Sequence, residues 1–364
     1  MELTLPELAL DPARMARLTS GAVVVSTDHA LLRVTGPGAL QCLQGLLTND
    51  MVKPGPNTIT WGALLTPKGM IESDLWCLRQ DDDLILALPL PGLARTLATF
   101  KRSLPPRLAR TEELAESWSS LLVIGATAGS VLRESGAFPT LPPVGHLVTG
   151  ENGAIIARAP TGGPFDFLVA GPDVVIAGLD ERLGQVGGAM GGPEDVEAAR
   201  ILAGWPALGA EIDEKTLPQE VRFDELGGVS YTKGCYLGQE TVARIHFRGH
   251  PNRELRGLEW EDALPLNGRV IEGSGRDAGT VRSTLIVGGR RLGLAPIRRE
   301  VAIGELVVDG GFAFSGDAVV YGHQRDGMVT ALAVTGEIRA LDDLAKSHSL
   351  VLVDWCAAQR GGTR

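Results

Sequence analysis

The sequence predicts an α+β protein: two pseudo-symmetric α/β units over residues 1–250, a small antiparallel β-barrel over 251–340 and a tail over 341–364. Three observations predict it. A strand, glycine turn and helix recur along the chain. Apolar stripes at helical spacing alternate with short strands up to about residue 250. Beyond that point only short strand-like runs remain.

The recurrences come first. Val34-Thr35-Gly36-Pro37-Gly38-Ala39 leads into Leu40, Leu43 and Leu47. Val123-Ile124-Gly125-Ala126-Thr127-Ala128 leads into Val131 and Leu132, and Val169-Ala170-Gly171-Pro172-Asp173 into Leu179 and Leu183. Apolar residues three or four apart fall on one helix face. The spacings, about 89 and 46 residues, differ, which favours pseudo-symmetric units over a solenoid.

Other elements follow in order. Residues 31–34 and 84–88 predict strands, and Leu65-Thr66-Pro67-Lys68-Gly69-Met70-Ile71 reads as strand, turn, strand. Leu93, Leu97, Phe100 and Leu104 form a helical stripe that Pro105-Pro106 stops. Pro193-Glu194-Asp195 opens another helix with acids at its positive end, and Gly204 and Pro206 close it. Residues 239–245 have helical character. Past a boundary at 248–254, Leu255, Leu258, Val270, Ile271, Val281, Leu285, Val307, Phe312 and Val319 fall in short runs punctuated by Gly, Asn and Asp, a spacing that suits a small barrel. In the tail, residues 350–355 form an apolar segment expected to pack, and Gly361-Gly362 is expected to fray.

Composition narrows the function. A net charge of −10 excludes a general nucleic-acid or anionic-membrane surface, though not a local basic patch. No apolar run reaches the roughly 18 residues that span a bilayer. Residues 1–12 carry acids rather than the positive start of a signal peptide. Cysteines at 42, 77, 235 and 356 make no C-x-x-C pair, so free thiols in a reducing cytoplasm are expected. Cys42 reads as helix core, Cys77 as strand interior and Cys356 as tail packing. The sparse Cys and His argue against a metal site formed by this chain alone; His246 and His250 are helically spaced, but Gly249 and Pro251 break the helix.

Chemistry concentrates in Lys233-Gly234-Cys235-Tyr236-Leu237-Gly238-Gln239-Glu240. A helix start and a nearby lysine favour the thiolate of Cys235, although a free cysteine also serves as a small buried hydrophobe. Glu220 ends the acidic stretch 211–220 just after Pro218. Asp74 follows the turn at 67–69, and spacing alone leaves it either inward or on the surface. Arg244, Arg248, Arg253 and Arg256 cluster in an otherwise acidic chain and suit a carboxylate ligand, although ion-paired surface arginines are the simpler account of each.

These residues carry a resemblance. The 233–240 segment resembles the signature of the YgfZ family of folate-binding proteins, which act in iron–sulfur cluster assembly or maintenance. That family is similar in fold to the glycine-cleavage T-protein, a tetrahydrofolate-dependent aminomethyltransferase. Leu43-Gln44-Gly45-Leu46-Leu47-Thr48-Asn49-Asp50 resembles the early helix and T-N-D turn of both. Leu65-Thr66-Pro67-Lys68-Gly69 resembles the turn before their folate-facing strand, and Gly279-Thr280-Val281-Arg282-Ser283 with Leu292-Gly293-Leu294-Ala295 their C-terminal barrel.

The resemblance implies a ring of three domains around a pocket for tetrahydrofolate or another folate. It implies Trp61, Asp74, Glu220, Tyr236, Gln239, Glu240 and Arg244 as cofactor-binding residues and Cys235 with Lys233 as the chemical centre. The T-protein's paired aspartates become Ser73-Asp74 here, which weakens the aminomethyltransferase alternative. A folate-binding scaffold without catalysis is the other alternative. Implied partners are iron–sulfur client or assembly proteins, possible tRNA-modifying enzymes among them, contacted by a cytoplasmic monomer that binds neither nucleic acid nor membrane.

Overall fold

The computed structural model describes residues 8–81, 83–260, 269–272, 277–288, 290–301, 306–308, 312–314, 318–325, 328–335 and 350–353. The first described elements are β1 (Leu8–Leu10), α1 (Pro12–Thr19) and β2 (Val23–Thr27). Asp11 caps α1 by accepting from the Arg14 amide at 2.7 Å, with Pro12 in the first turn, where its missing N–H is harmless.

The first unit runs β3 (Ala30–Thr35), α2 (Ala39–Gln44), β4 (Thr58–Leu65), β5 (Ile71–Gln80), β6 (Asp83–Leu88), α3 (Leu93–Ser103) and β7 (Arg110–Glu113). Its strands pair antiparallel in the order β4-β5-β6-β3-β7. The predicted strand, turn, strand about residue 67 is the β4–β5 hairpin. Both faces of this sheet are covered. On one, Leu64, Leu75, Cys77, Leu84 and Leu86 pack with Leu43 of α2 and Phe100 of α3. On the other, Trp61, Ala63, Trp76, Leu78, Ile85 and Ala87 enter a central core. Double coverage explains why all eight residues of β4 are buried and why it reads as a near-continuous apolar run.

The second unit is β8 (Trp118–Ile124), α4 (Ala128–Glu134), β9 (Leu147–Thr149), β10 (Ile155–Arg158), β11 (Phe167–Pro172), α5 (Asp173–Gln185), β12 (Ala189–Met190) and α6 (Pro193–Leu202). Its sheet order is β12-β2-β8-β11-β10-β9. The neighbour order β4-β5-β6-β3 of the first sheet reappears as β9-β10-β11-β8, and α2 and α3 match α4 and α5. This explains the unequal recurrences: the segments at Val34 and Val123 are equivalent, whereas that at Val169 matches β6 and α3. The units interleave because β2, ahead of the first unit, joins the second sheet beside β8. Val23, Val25, Leu122, Ile124, Leu168 and Ala170 of this sheet enter the same central core as Trp61 and Trp76.

After α7 (Gln239–Arg248) come β13 (Arg253–Trp260), β14 (Arg269–Glu272), β15 (Asp277–Thr280), β16 (Ser283–Val287), β17 (Arg290–Arg298), β18 (Leu306–Val308) and β19 (Phe312–Phe314). They form one sheet with β1, which lies parallel to β16, so the start of the chain is woven into its C-terminal part. A three-stranded sheet holds β20 (Ala318–Arg325), β21 (Met328–Thr335) and β22 (Leu350–Val353). The apolar tail segment thus supplies a strand; Cys356 and the rest of the tail lie outside the described residues. Among the described residues, no helix is long and apolar enough to cross a membrane.

A buried ionic network joins the parts. Arg200 of α6 donates to Glu211 at 3.0 Å, to the Trp205 carbonyl at 3.1 Å and to Ser283 of β16 at 2.6 Å, and Ser283 donates to Glu211 at 2.5 Å. Arg200 also pairs with the partly exposed Glu197, so loss of Glu211 leaves it one carboxylate and leaves the Ser283 hydroxyl and the Ala207 amide without their acceptor. Glu211→Ala is therefore expected to lower unfolding free energy by about 2 kcal/mol in urea titrations, and Ser283→Ala by about 1 kcal/mol.

Candidate functional site

The residues between α6 and α7 form little regular structure beyond a short 3-10 turn at Pro218–Val221, yet many of them are buried. Their main-chain polar groups need partners, and the Thr48-Asn49-Asp50 turn after α2 supplies many. Thr48 Oγ1 donates to the Gly228 carbonyl at 2.6 Å, and Asn49 Nδ2 to the carbonyls of Gly227 and Trp61 at 2.7 and 2.8 Å. The amides of Ser230 and Leu237 donate back to the carbonyls of Thr48 and Gly45, each at 3.0 Å. From the 233–240 segment, the Lys233 ammonium donates to the carbonyls of Leu47 and Asn49 at 2.6 and 2.7 Å. Burial pulls its pKa down to about 8, against the opposing charge of Asp50.

The turn of the β4–β5 hairpin meets the same segment. Gly69 (φ 90) and Gly238 (φ 81) adopt left-handed backbone where the chains touch. A Cβ at Gly238 would lie 2.6 Å from the Thr66 carbonyl oxygen, and one at Gly69 2.9 Å from Thr241 Cβ. Both the conformation and the close approach require glycine.

Beside this junction lies a cleft of about 690 Å³ walled by Trp61, Trp76 and Trp205, with Asn49, Asp50 and Tyr231 also on its lining. Trp61 and Trp76 stand directly opposite in the β4–β5 register. Trp61 packs on Phe223 and Trp205 with ring centroids 4.1 and 4.3 Å apart, and Trp76 stacks on Trp205 at 5.7 Å. Behind the indole, Trp61 Nε1 donates to Asp74 Oδ2 at 3.2 Å, while Asp74 Oδ1 is buried without a partner. Burial pushes the Asp74 carboxyl up to about 6; the Trp61 hydrogen bond and the charge of Arg200 oppose the rise.

The structure distributes the sequence-predicted residues unevenly. Trp61 and Asp74 touch each other. Lys233 and Tyr236 join them through the 47–49 turn, the Lys233 ammonium lying 5.1 Å from the Tyr236 ring centroid and the buried Tyr236 hydroxyl lacking a partner. Cys235 is exposed, which removes the buried-hydrophobe reading; it lies three residues before Gly238, the residue that precedes the first turn of α7. Gln239 is half-buried on α7, and Glu240 and Arg244 are exposed there. Glu220 closes its own turn, accepting from the Leu217 amide at 3.1 Å, and lines a separate cavity of about 210 Å³ with Arg253 and Arg282. Burial raises its pKa. Cys77 is buried in β5, its thiol pushed up to about 12 by burial, and Cys42 is half-buried against the first unit's core.

Trp76, Trp205 and Phe223 are not among the sequence-predicted site residues, and Asn49 is predicted only as part of the T-N-D turn. Extending the hairpin register from Leu65↔Ile71 would set Trp61 opposite Leu75; a β-bulge between Leu64 and Leu65 shifts the pairing to Trp76, so hairpin counting alone misses it. Trp205, in a helix stop, carries no signal.

Two expectations follow. Asp74 favours its protonated form when folded, so its stabilising contribution is full below the ordinary carboxylate pKa of 3.8 and is lost as pH rises through about 6. Asp74→Asn should abolish that pH-dependent loss, worth about 3 kcal/mol, in unfolding curves taken from pH 4 to 7. Lys233→Met should cost about 2 kcal/mol by orphaning two carbonyls, and amide exchange should quicken across residues 45–50 and 227–237.

Comparisons with known proteins agree with this architecture. Residues 13–139 match the family model described as GCVT N-terminal domain. The chain is 29% identical over 265 residues to the tRNA-modifying protein YgfZ of Hamiltonella defensa subsp. Acyrthosiphon pisum, covering 69% of this chain and 74% of that protein. It is 29% identical over 274 residues to the YgfZ of Cronobacter sakazakii, covering 72% and 78%. The solved glycine cleavage system aminomethyltransferase T of Bartonella henselae superposes with a TM-score of 0.69 at 18% identity, over 92% of this chain and 91% of that one, which shows a shared mixed α/β fold. The resemblance read from the sequence is borne out as similarity: residues 13–139 match the GCVT N-terminal domain model, the chain is similar to the YgfZ proteins, and its fold is like that of the T-protein.

Proposed function

We propose that the protein binds a folate in the aromatic cleft and supports assembly, repair or maintenance of iron–sulfur (4Fe-4S) enzymes, tRNA-modifying ones among them, in the cytoplasm as a monomer. One observation carries the reading. The segment that presents Cys235 is stitched through Lys233, Thr48 and Asn49 to the edge of the tryptophan-walled cleft.

The residues fit a folate. The cleft's volume lies within the roughly 300–1,000 Å³ of ligand pockets, its indole walls suit a flat heterocycle, and Asp74 Oδ1 is a buried acceptor without a donor. A bound reduced folate supplies one-carbon and redox chemistry. In this reading Trp61 and Asp74 hold the ligand, Glu220 shapes the turn at 217–221, and Tyr236, Gln239, Glu240 and Arg244 frame the thiol. Lys233 acts by positioning, since its ammonium is committed to two carbonyls. The reading also takes residues 1–250 as the folate-binding region, 251–340 as a barrel that completes a ring of three domains, and 341–364 as the tail.

A one-carbon transferase is a weaker fit. The T-protein's pair of aspartates is Ser73-Asp74 here, so one carboxylate of the pair is absent.

A strain lacking the protein, assayed for iron–sulfur enzyme activities, tests the proposal. Wild type should restore them. Cys235→Ala should fold and bind folate as wild type does yet restore nothing; full rescue by that variant would remove the thiol from the function. Turnover of an aminomethyl donor with tetrahydrofolate would favour the transferase instead.

A further inference from the structure

Arg244, Phe247 and Arg248 stand on one exposed face of α7, three and four residues apart, while Val242 on the opposite side is buried. Phe247 keeps 67% of its surface in water, although its ring is held in place. It meets His246 edge-on with centroids 4.8 Å apart and Tyr231 at 5.9 Å, and Tyr231 in turn stacks on His246 at 3.6 Å. Asp224 anchors the stack, accepting from the Tyr231 hydroxyl and lying 3.4 Å from His246 Nδ1. An exposed ring that is already ordered loses little freedom when a partner covers it.

The charges beside the ring define the partner. Among the described residues, the Arg244 and Arg248 side chains have neither an ion pair nor a hydrogen bond. Glu240, one turn before Arg244, is the only carboxylate on the helix, and Arg253 stands exposed just beyond its end. Unpaired arginines around an aromatic ring have the composition of a protein interface, and their complement is a set of carboxylates around an apolar pocket. A nucleic acid asks for a broad positive field, which a chain of net charge −10 does not have. A folded partner asks for local charge only, because charges more than about 8 Å away are screened in physiological salt.

Cys235 lies within reach of the same footprint. Gln239 to Phe247 measures about 12 Å along the helix axis, and the residues from Cys235 to Gln239 add at most about 14 Å. A standard interface of roughly 800 Å² per partner is about 30 Å across. Resting on the reading of the protein as a support of iron–sulfur enzymes, we propose that this face of α7 docks the iron–sulfur protein served. That partner is acidic, seats Phe247 in an apolar pocket and brings its own site to Cys235.

The experiment uses the strain lacking the protein, complemented with the full chain carrying p-benzoylphenylalanine in place of Phe247 and irradiated in the cell. The adduct should contain an acidic iron–sulfur protein, identified by mass spectrometry. Arg248→Glu in the same chain should lower its yield about tenfold. Without the cross-linker, Phe247→Asp should keep the wild-type melting temperature yet restore less than about a tenth of the iron–sulfur enzyme activity, as expected for a lost interface anchor. Phe247→Tyr should restore it. An adduct with a protein that holds no iron–sulfur cluster, with a second copy of the chain or with RNA overturns the inference. So does an adduct indifferent to Arg248→Glu, no adduct at all, or full restoration by Phe247→Asp. Wild type that restores no iron–sulfur enzyme overturns the functional reading instead.

Discussion

The site depends on one docking event: the turn at residues 45–49 against the irregular segment at 227–237. Thr48, Asn49 and the Lys233 ammonium between them satisfy main-chain groups that burial would otherwise leave without partners. An unpaired buried carbonyl costs on the order of 1–3 kcal/mol, so these contacts are what allow a segment with little secondary structure to hold a fixed path. That path sets where Cys235 emerges and keeps Phe223 against Trp61.

The same logic explains the central core. Each α/β unit covers one sheet face with its own two helices and leaves the other face apolar. The two bare faces meet, and the strand exchange through β2 prevents them from separating as independent domains. Trp61, Trp76 and Trp205 gather in that core, packed ring against ring. Arg200 then ties α6 to the C-terminal sheet and holds the carbonyl of Trp205, so the wall of the cleft is braced from behind.

Two buried ionisable groups, bonded to cleft-lining residues Trp61 and Asn49, have opposite shifts. Asp74 is raised and Lys233 lowered, both chiefly because burial disfavours charge. Lys233 recovers part of that cost through two hydrogen bonds. Asp74 has one, from an indole, and an oxygen left over. An acceptor short of donors is one that the packing of the core leaves unsatisfied.

Much was legible in the sequence because local periodicity is a local property. The strand–turn–helix recurrences, the β4–β5 hairpin and the helix stopped at Pro105 all follow from apolar spacing and from glycine and proline placement. The 233–240 motif was legible as a motif, and Asp74 and Trp61 as residues of one hairpin. The sequence could not say that Lys233 turns away to bind carbonyls near residue 48, that Glu220 lines a separate cavity, or that Trp205 joins Trp61. Those contacts span tens to nearly two hundred residues, and no periodicity encodes them. Nor could it place β1 in the C-terminal sheet, since an edge strand of three residues carries no signal of its partner. By itself the sequence determined the elements and the motif at 233–240; only the tertiary structure decided which buried polar groups meet, because that is settled by which partners remain once the sheets have packed.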